Sequence, residues 1–215
     1  MKPTGTARRP VVTVLTLSLA ILVAACSPSG KIPANMRPET AAGLSFAVPQ
    51  DWVSSPPSTN MRAAQFTLPA AAGGDAPQLV VSFFGEGKGG DVASNIERWI
   101  GMIGTPDGKP AADKAKRERR KVGPFTVSMV TADGSYDAFV GMGMASGMAS
   151  GMGGGMGGGM GGAHGGGAKP NYRLWGAVVE GPGGPWFFKA TGPRAVLEKA
   201  EPALKALVAS VKKGA

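Results

Sequence analysis

The chain has 215 residues, 43% of them hydrophobic and 17% charged, with 35 Gly, 18 Pro, one Cys, one His and a formal net charge of +9. A single Cys and a single His exclude an intramolecular disulfide, a Cys₄ or Cys₂His₂ zinc site and an HExxH protease helix. A Ser-His-Asp triad would rest on one His that lies inside a glycine run, and the length suits one domain with appendages.

Lys2, Arg8 and Arg9 form a positive start, and residues 11–25 follow as an uncharged, mostly apolar run of 15 residues. Such a run is too short to span a bilayer comfortably and has the length of a signal-peptide core. It ends Leu22-Val23-Ala24-Ala25, and Cys26 comes directly after these residues. The segment resembles the lipobox of bacterial lipoproteins. That resemblance implies a signal peptide over 1–25, diacylglycerol on the Cys26 thiol, cleavage just before it and acylation of the new amine. The first expected partner is therefore a lipid bilayer, reached through acylated Cys26. Each buried lipid CH₂ contributes about 0.8 kcal/mol, so several chains anchor essentially permanently. An ordinary secretory signal with an incidental Cys, or a buried cytosolic Cys, is the alternative. Ser27, not Asp, follows Cys26. By the same resemblance this implies the outer membrane, facing the periplasm.

Residues 26–40 are rich in Ser, Pro and Gly and read as a tether. An α+β domain is expected over 41–213. Strand patterns fall at 43–49, 61–69 and 77–84. Asp91 offers an N-cap, and Val92, Ile96, Trp99, Ile100 and Ile103 recur at helical spacing, predicting an amphipathic helix over 91–103. Residues 125–132 and 135–141 read as a hairpin around the turn dipeptide Asp133-Gly134. Residues 171–181 and 185–192 read as a second hairpin around Pro182-Gly183-Gly184. In that last strand, alternation predicts Trp186 and Phe188 on one face and Phe187 and Lys189 on the other. Val196, Leu197, Leu204, Leu207, Val208 and Val211 mark a C-terminal helix, which Pro202 should kink or split and which Lys212 and Lys213 should end. The expectation is one antiparallel sheet flanked by helices.

The FAVPQDW stretch (46–52), the NIERW helix (95–99) and WFFKATGP (186–193) before a terminal helix resemble bacterial lipoproteins of the PsbP/DcrB-like type. The similarity spans residues 43–211 in element order. It implies an antiparallel sheet flanked by helices and a non-catalytic binding or assembly role outside the cytoplasm. No functional residue carries over, and the long glycine tract departs from the pattern.

That tract, residues 141–167, holds 15 Gly and six Met among 27 residues. Gly costs about 1 kcal/mol per helical position relative to Ala, so the four-residue Met period does not make a helix, and disorder is expected. Thioethers suit Cu(I), so Met142, Met144, Met148 and His164 are candidate soft-metal ligands. The competing reading is a slippage repeat in a permissive loop. No cofactor is expected.

Lys109, Lys114, Lys116, Arg117, Arg119, Arg120 and Lys121 fall within 13 residues against Asp113 and Glu118, a balance of 7 − 2 = +5. Removing Lys2, Arg8 and Arg9 takes the whole chain from +9 to +6, so this segment carries most of the mature charge. Lys114, Lys116, Arg117, Arg119, Arg120 and Lys121 are candidates for binding anionic lipid, a glycan or an acidic envelope protein. Nucleic acid is not expected, because no aromatic residues interleave with the charges. The alternative is a solvated loop or helix face. Asp133 and Asp137, or Glu180, have the chemistry for acid–base work, but no catalytic constellation emerges and a non-enzyme is expected.

Overall fold

The computed structural model describes Met1 and residues 34–105, 111–137 and 168–214. Strands β1 (Met36–Ala41), β2 (Leu44–Pro49), β3 (Val53–Ser55), β4 (Arg62–Thr67) and β5 (Gln78–Phe83) precede helix α1 (Val92–Gly101). Next come β6 (Ile103–Gly104), a 3₁₀ turn (Ala112–Lys114), β7 (Lys116–Val122), β8 (Phe125–Tyr136), β9 (Lys169–Gly181) and β10 (Gly184–Pro193). Helix α2 (Arg194–Ala209) and β11 (Lys212–Lys213) end the described chain.

The fold is α+β with antiparallel pairing, but the strands form two sheets rather than the expected one. An eight-stranded sheet runs β3-β4-β5-β10-β9-β8-β6, with β7 also paired to β8; a three-stranded sheet runs β1-β2-β11. Pleating sends alternate side chains of the large sheet to opposite faces, and each face builds its own core. On one face Phe66, Leu79, Val81, Trp175, Trp186 and Phe188 pack with Phe46 of the small sheet and Leu197, Leu204 and Leu207 of α2. On the other, Leu174, Val178, Val130 and Phe187 pack with Ile96, Trp99 and Ile100 of α1. Trp186 and Phe188 thus face away from Phe187, as the alternation predicts. Gly176 lets α1 approach, because a Cβ there would run into the Trp99 ring.

α1 forms where its periodicity predicts, and the Asp91 carboxylate accepts from the Ser94 N–H at 2.9 Å to cap it. The second predicted hairpin is also present, with Gly184 paired to Gly181 and Pro193 to Tyr172. Four readings change. First, β8 runs unbroken through Asp133-Gly134, and its hairpin partner is β9, with Thr126 paired to Glu180 and Tyr136 to Lys169. Second, β1 occupies residues read as tether, held by full pairing with β2 from Met36↔Pro49 to Ala41↔Leu44. Third, α2 is one helix through Pro202. Leu197 on one side of the proline and Leu204, Leu207 and Val208 on the other are buried together, and this burial offsets the roughly 3 kcal/mol cost of an internal proline. Fourth, Lys212 and Lys213 lie beyond the helix and pair with Ser45 and Leu44 as β11. Among the described residues, no helix is long and apolar enough to cross a membrane. The insert 141–167 lies outside the described residues.

Candidate functional site

The basic segment is neither loop nor helix. After Lys114 in the 3₁₀ turn, it becomes strand β7 on the edge of the large sheet, paired with β8 from Lys116↔Thr131 to Val122↔Phe125. An edge strand leaves one row of backbone groups unpaired, and lysines and arginines along it resist docking of a second strand. The pleat also divides the charges. Arg117, Arg119 and Lys121 lie opposite Val130, Ser128 and Thr126, on the α1 side of the sheet; Lys116 and Arg120 lie opposite Thr131 and Val127, on the α2 side.

The two groups have different surroundings. On the α1 side, Arg117 Nη2 sits 2.9 Å from Glu97 and Arg119 Nη2 sits 3.8 Å from Glu180. Both arginine side chains reach solvent, 43% and 73% exposed, so these pairs contribute little stability and stay available to another anion. Lys121 donates to Thr126 Oγ1 at 2.7 Å. On the α2 side, Arg120 is half-buried and donates to the Lys205 carbonyl at 3.0 Å, which makes it a strut between β7 and α2. Lys205 in turn reaches Glu118 at 3.0 Å and Glu201 at 3.1 Å, and these hydrogen bonds hold its ammonium above the usual lysine range.

Between α1 (Val92, Ile96, Glu97) and β7 to β9 (Arg117, Arg119, Glu180) lies an open groove of about 290 Å³. Val92, Ala93 and Ile96 of α1 form its apolar wall, Ser128 lies on the sheet side, and Glu97, Arg117, Arg119 and Glu180 give it a mixed-charge rim.

The carboxylates singled out for acid–base work do not converge. Asp133 is gripped by Arg173, and Glu180 stands by Arg119 on the opposite face. Hydrogen bonding from Arg173 holds the Asp133 carboxyl below the usual carboxylate range, the opposite of what a proton acceptor near neutrality needs. Asp137 donates its backbone N–H to Met102 O at 2.8 Å. Among the described residues no three His, Cys, Asp or Glu side chains gather as metal ligands. Cys26, Met142, Met144, Met148 and His164 lie outside the described residues, as does Lys109.

Two clusters had no local sequence signal. One is the buried Arg173, which reaches Asp133 on β8 and Glu198 and Glu201 on α2. The other gathers Arg62, Arg98 and Lys189 from β4, α1 and β10 on the second face of the sheet.

No family model and no curated protein sequence matches the chain. Several solved structures are similar to it, two of them as follows. One is a Pseudomonas aeruginosa protein of unknown function, 13% identical, covering 84% of this chain and 99% of its own at a TM-score of 0.42. The other is cyanobacterial PsbP (CyanoP) from Synechocystis sp. PCC 6803, 12% identical, covering 89% of this chain and 98% of its own at a TM-score of 0.46.

Proposed function

We propose that this chain is a cell-envelope lipoprotein, anchored through acylated Cys26, whose domain has a non-catalytic role in binding an anionic surface through β7. The observation that carries the binding part is the exposure of Arg117, Arg119 and Lys121 along one side of an edge strand, beside an open groove. The anchoring part is supported by the positive start, the short apolar run and Leu22-Val23-Ala24-Ala25-Cys26. The scattered carboxylates favour binding over catalysis. An anchored domain meets its target at high effective concentration, so screened surface charge suffices for recognition without a deep pocket.

Cys26→Ser tests the anchor. The variant should accumulate as unacylated, uncleaved precursor when membrane fractions are labelled with radioactive fatty acid. A processed mature variant that still partitions with the membrane would overturn the anchoring reading.

A further inference from the structure

The large sheet carries a second cationic feature on the other flank of α1, away from β7. Asn95 and Arg98 of α1 and Met102 at its C-cap follow one another at helical spacing. Lys189 of β10 extends to Met102, with Nζ 3.8 Å from its Sδ. Val80 pairs with Lys189 across β5, and Arg62 pairs with Ser82 one pleat further along. The register shifts between Arg62 and Ala64, and this bulge keeps Arg62 on the same face as Gln65. α1 packs mainly on β8 and β9, so Val80 and Ser82 are left part-exposed beside the three cations.

We propose that Arg62, Arg98 and Lys189 form a binding site for a phosphate-type oxyanion. The decisive feature is what orients them. Arg62 Nη1 is held by the Gln65 amide oxygen at 2.5 Å and Arg98 Nη2 by the Asn95 amide oxygen at 2.6 Å. Asn95 is itself fixed, with its amide nitrogen donating to Gly89 O at 2.7 Å and Asp91 O at 2.9 Å. Neutral amides thus aim both guanidinium groups without cancelling their charge, and each guanidinium keeps donors to spare. Among the described residues, no carboxylate stands within ion-pair distance of Arg62, Arg98 or Lys189.

Three cations from three elements, held by neutral groups beside open surface, face no carboxylate among the described residues. Burial, with Arg98 and Arg62 adding repulsion, pulls the Lys189 ammonium down to about 8, a cost that a bound anion would reverse. A phosphate group has the charge and the several acceptor oxygens to engage two arginines and a lysine together. The site is independent of β7, so failure of either reading leaves the other standing.

The test is equilibrium dialysis of the full-length chain in neutral detergent against radiolabelled inorganic phosphate at constant ionic strength. Wild type should retain phosphate. Arg98→Gln and Arg62→Gln should each bind about tenfold more weakly, the loss expected for one charge-assisted hydrogen bond. Lys213→Gln, on the other sheet, should bind as wild type. Competition with soluble short-chain phosphatidic acid separates the sources: tighter binding than inorganic phosphate assigns a lipid headgroup, and weaker binding assigns a free phosphate. Arg98 is exposed, so loss in Arg98→Gln is not a folding defect. No retention by wild type at millimolar phosphate, or equal retention by all variants, would overturn the proposal.

Discussion

Arg173 forks onto Asp133, with Nε 2.6 Å from Oδ1 and Nη2 2.8 Å from Oδ2, and so ties β9 to β8 side chain to side chain. The same guanidinium reaches Glu201 at 2.8 Å and Glu198 at 3.1 Å on α2, and its side chain is only 5% exposed. One buried cation therefore links the large sheet to the helix that covers it. Among the described residues, removing it leaves Asp133 and Glu198 only the exposed Arg194 as an ion-pair partner, and leaves Glu201 only Lys205. Arg173→Met should lower the unfolding free energy by about 3 kcal/mol, the lower end for breaking a buried pair because the carboxylates are partly solvated. Urea unfolding checks this; a loss below about 1 kcal/mol would make the fork dispensable.

The fork also has a pH signature. Asp133 titrates below its ordinary 3.8 in the folded state, chiefly through the Arg173 hydrogen bond. A depressed carboxylate contributes stability that is fully present above the unfolded value and is lost as pH falls through the folded one. Wild type should therefore lose stability faster than Arg173→Met as pH drops below about 4, measured by thermal unfolding.

Lys189 works in the opposite sense. Its folded value of about 8 lies below the ordinary 10.5, so the unfolded chain binds more protons between those values and stability rises with pH there. Arg98 on α1 and Arg62 on β4 are the charged groups that face it. Tyr136 and Tyr172 titrate above the ordinary 10.0, mainly through burial, and act in reverse only at higher pH. Between pH 7.5 and 9.5, in phosphate-free buffer, wild type should gain roughly 1–2 kcal/mol relative to Lys189→Met. Parallel pH profiles would show that the lysine is fully solvated.

Deleting residues 142–166 should leave the domain folded. β8 and β9 are hairpin partners whose ends meet at Tyr136↔Lys169, so their connection has almost no distance to cover. Closure entropy changes by about 0.6 kcal/mol per doubling of loop length, so the shortened chain should gain roughly 1 kcal/mol. A loss above about 2 kcal/mol in chemical denaturation would mean that the tract packs on the domain.

What was legible in the sequence was local. The Ile96-Trp99-Ile100 stripe and the Asp91 cap announce α1, and the opposite facing of Phe187 and Phe188 follows from alternation alone. Asp133-Gly134 misleads because both turn signals are satisfied by distant partners. The Asp133 carboxylate is taken by Arg173, forty positions on, and Gly134 lacks a Cβ because the Gly104 carbonyl packs where it would stand. β1 and β11 were not legible because each depends on pairing with β2 more than on its own composition. Arg62, Arg98 and Lys189 lie in unremarkable contexts, and only the register of β4, β5 and β10 brings them together.

Vesicle co-sedimentation tests the proposed binding of anionic surfaces by β7. The unlipidated chain from Ser27 is compared with a variant carrying Gln at Lys116, Arg117, Arg119 and Lys121; Arg120 is retained because it braces α2. Each basic residue near an anionic bilayer contributes about 1 kcal/mol, screened over a Debye length of about 8 Å at physiological salt. Wild type should sediment with anionic vesicles at low salt, release as salt rises and ignore neutral vesicles, and the variant should lose most of this binding while melting normally. Equal retention of both proteins on anionic vesicles would show that the β7 cations do not bind the surface.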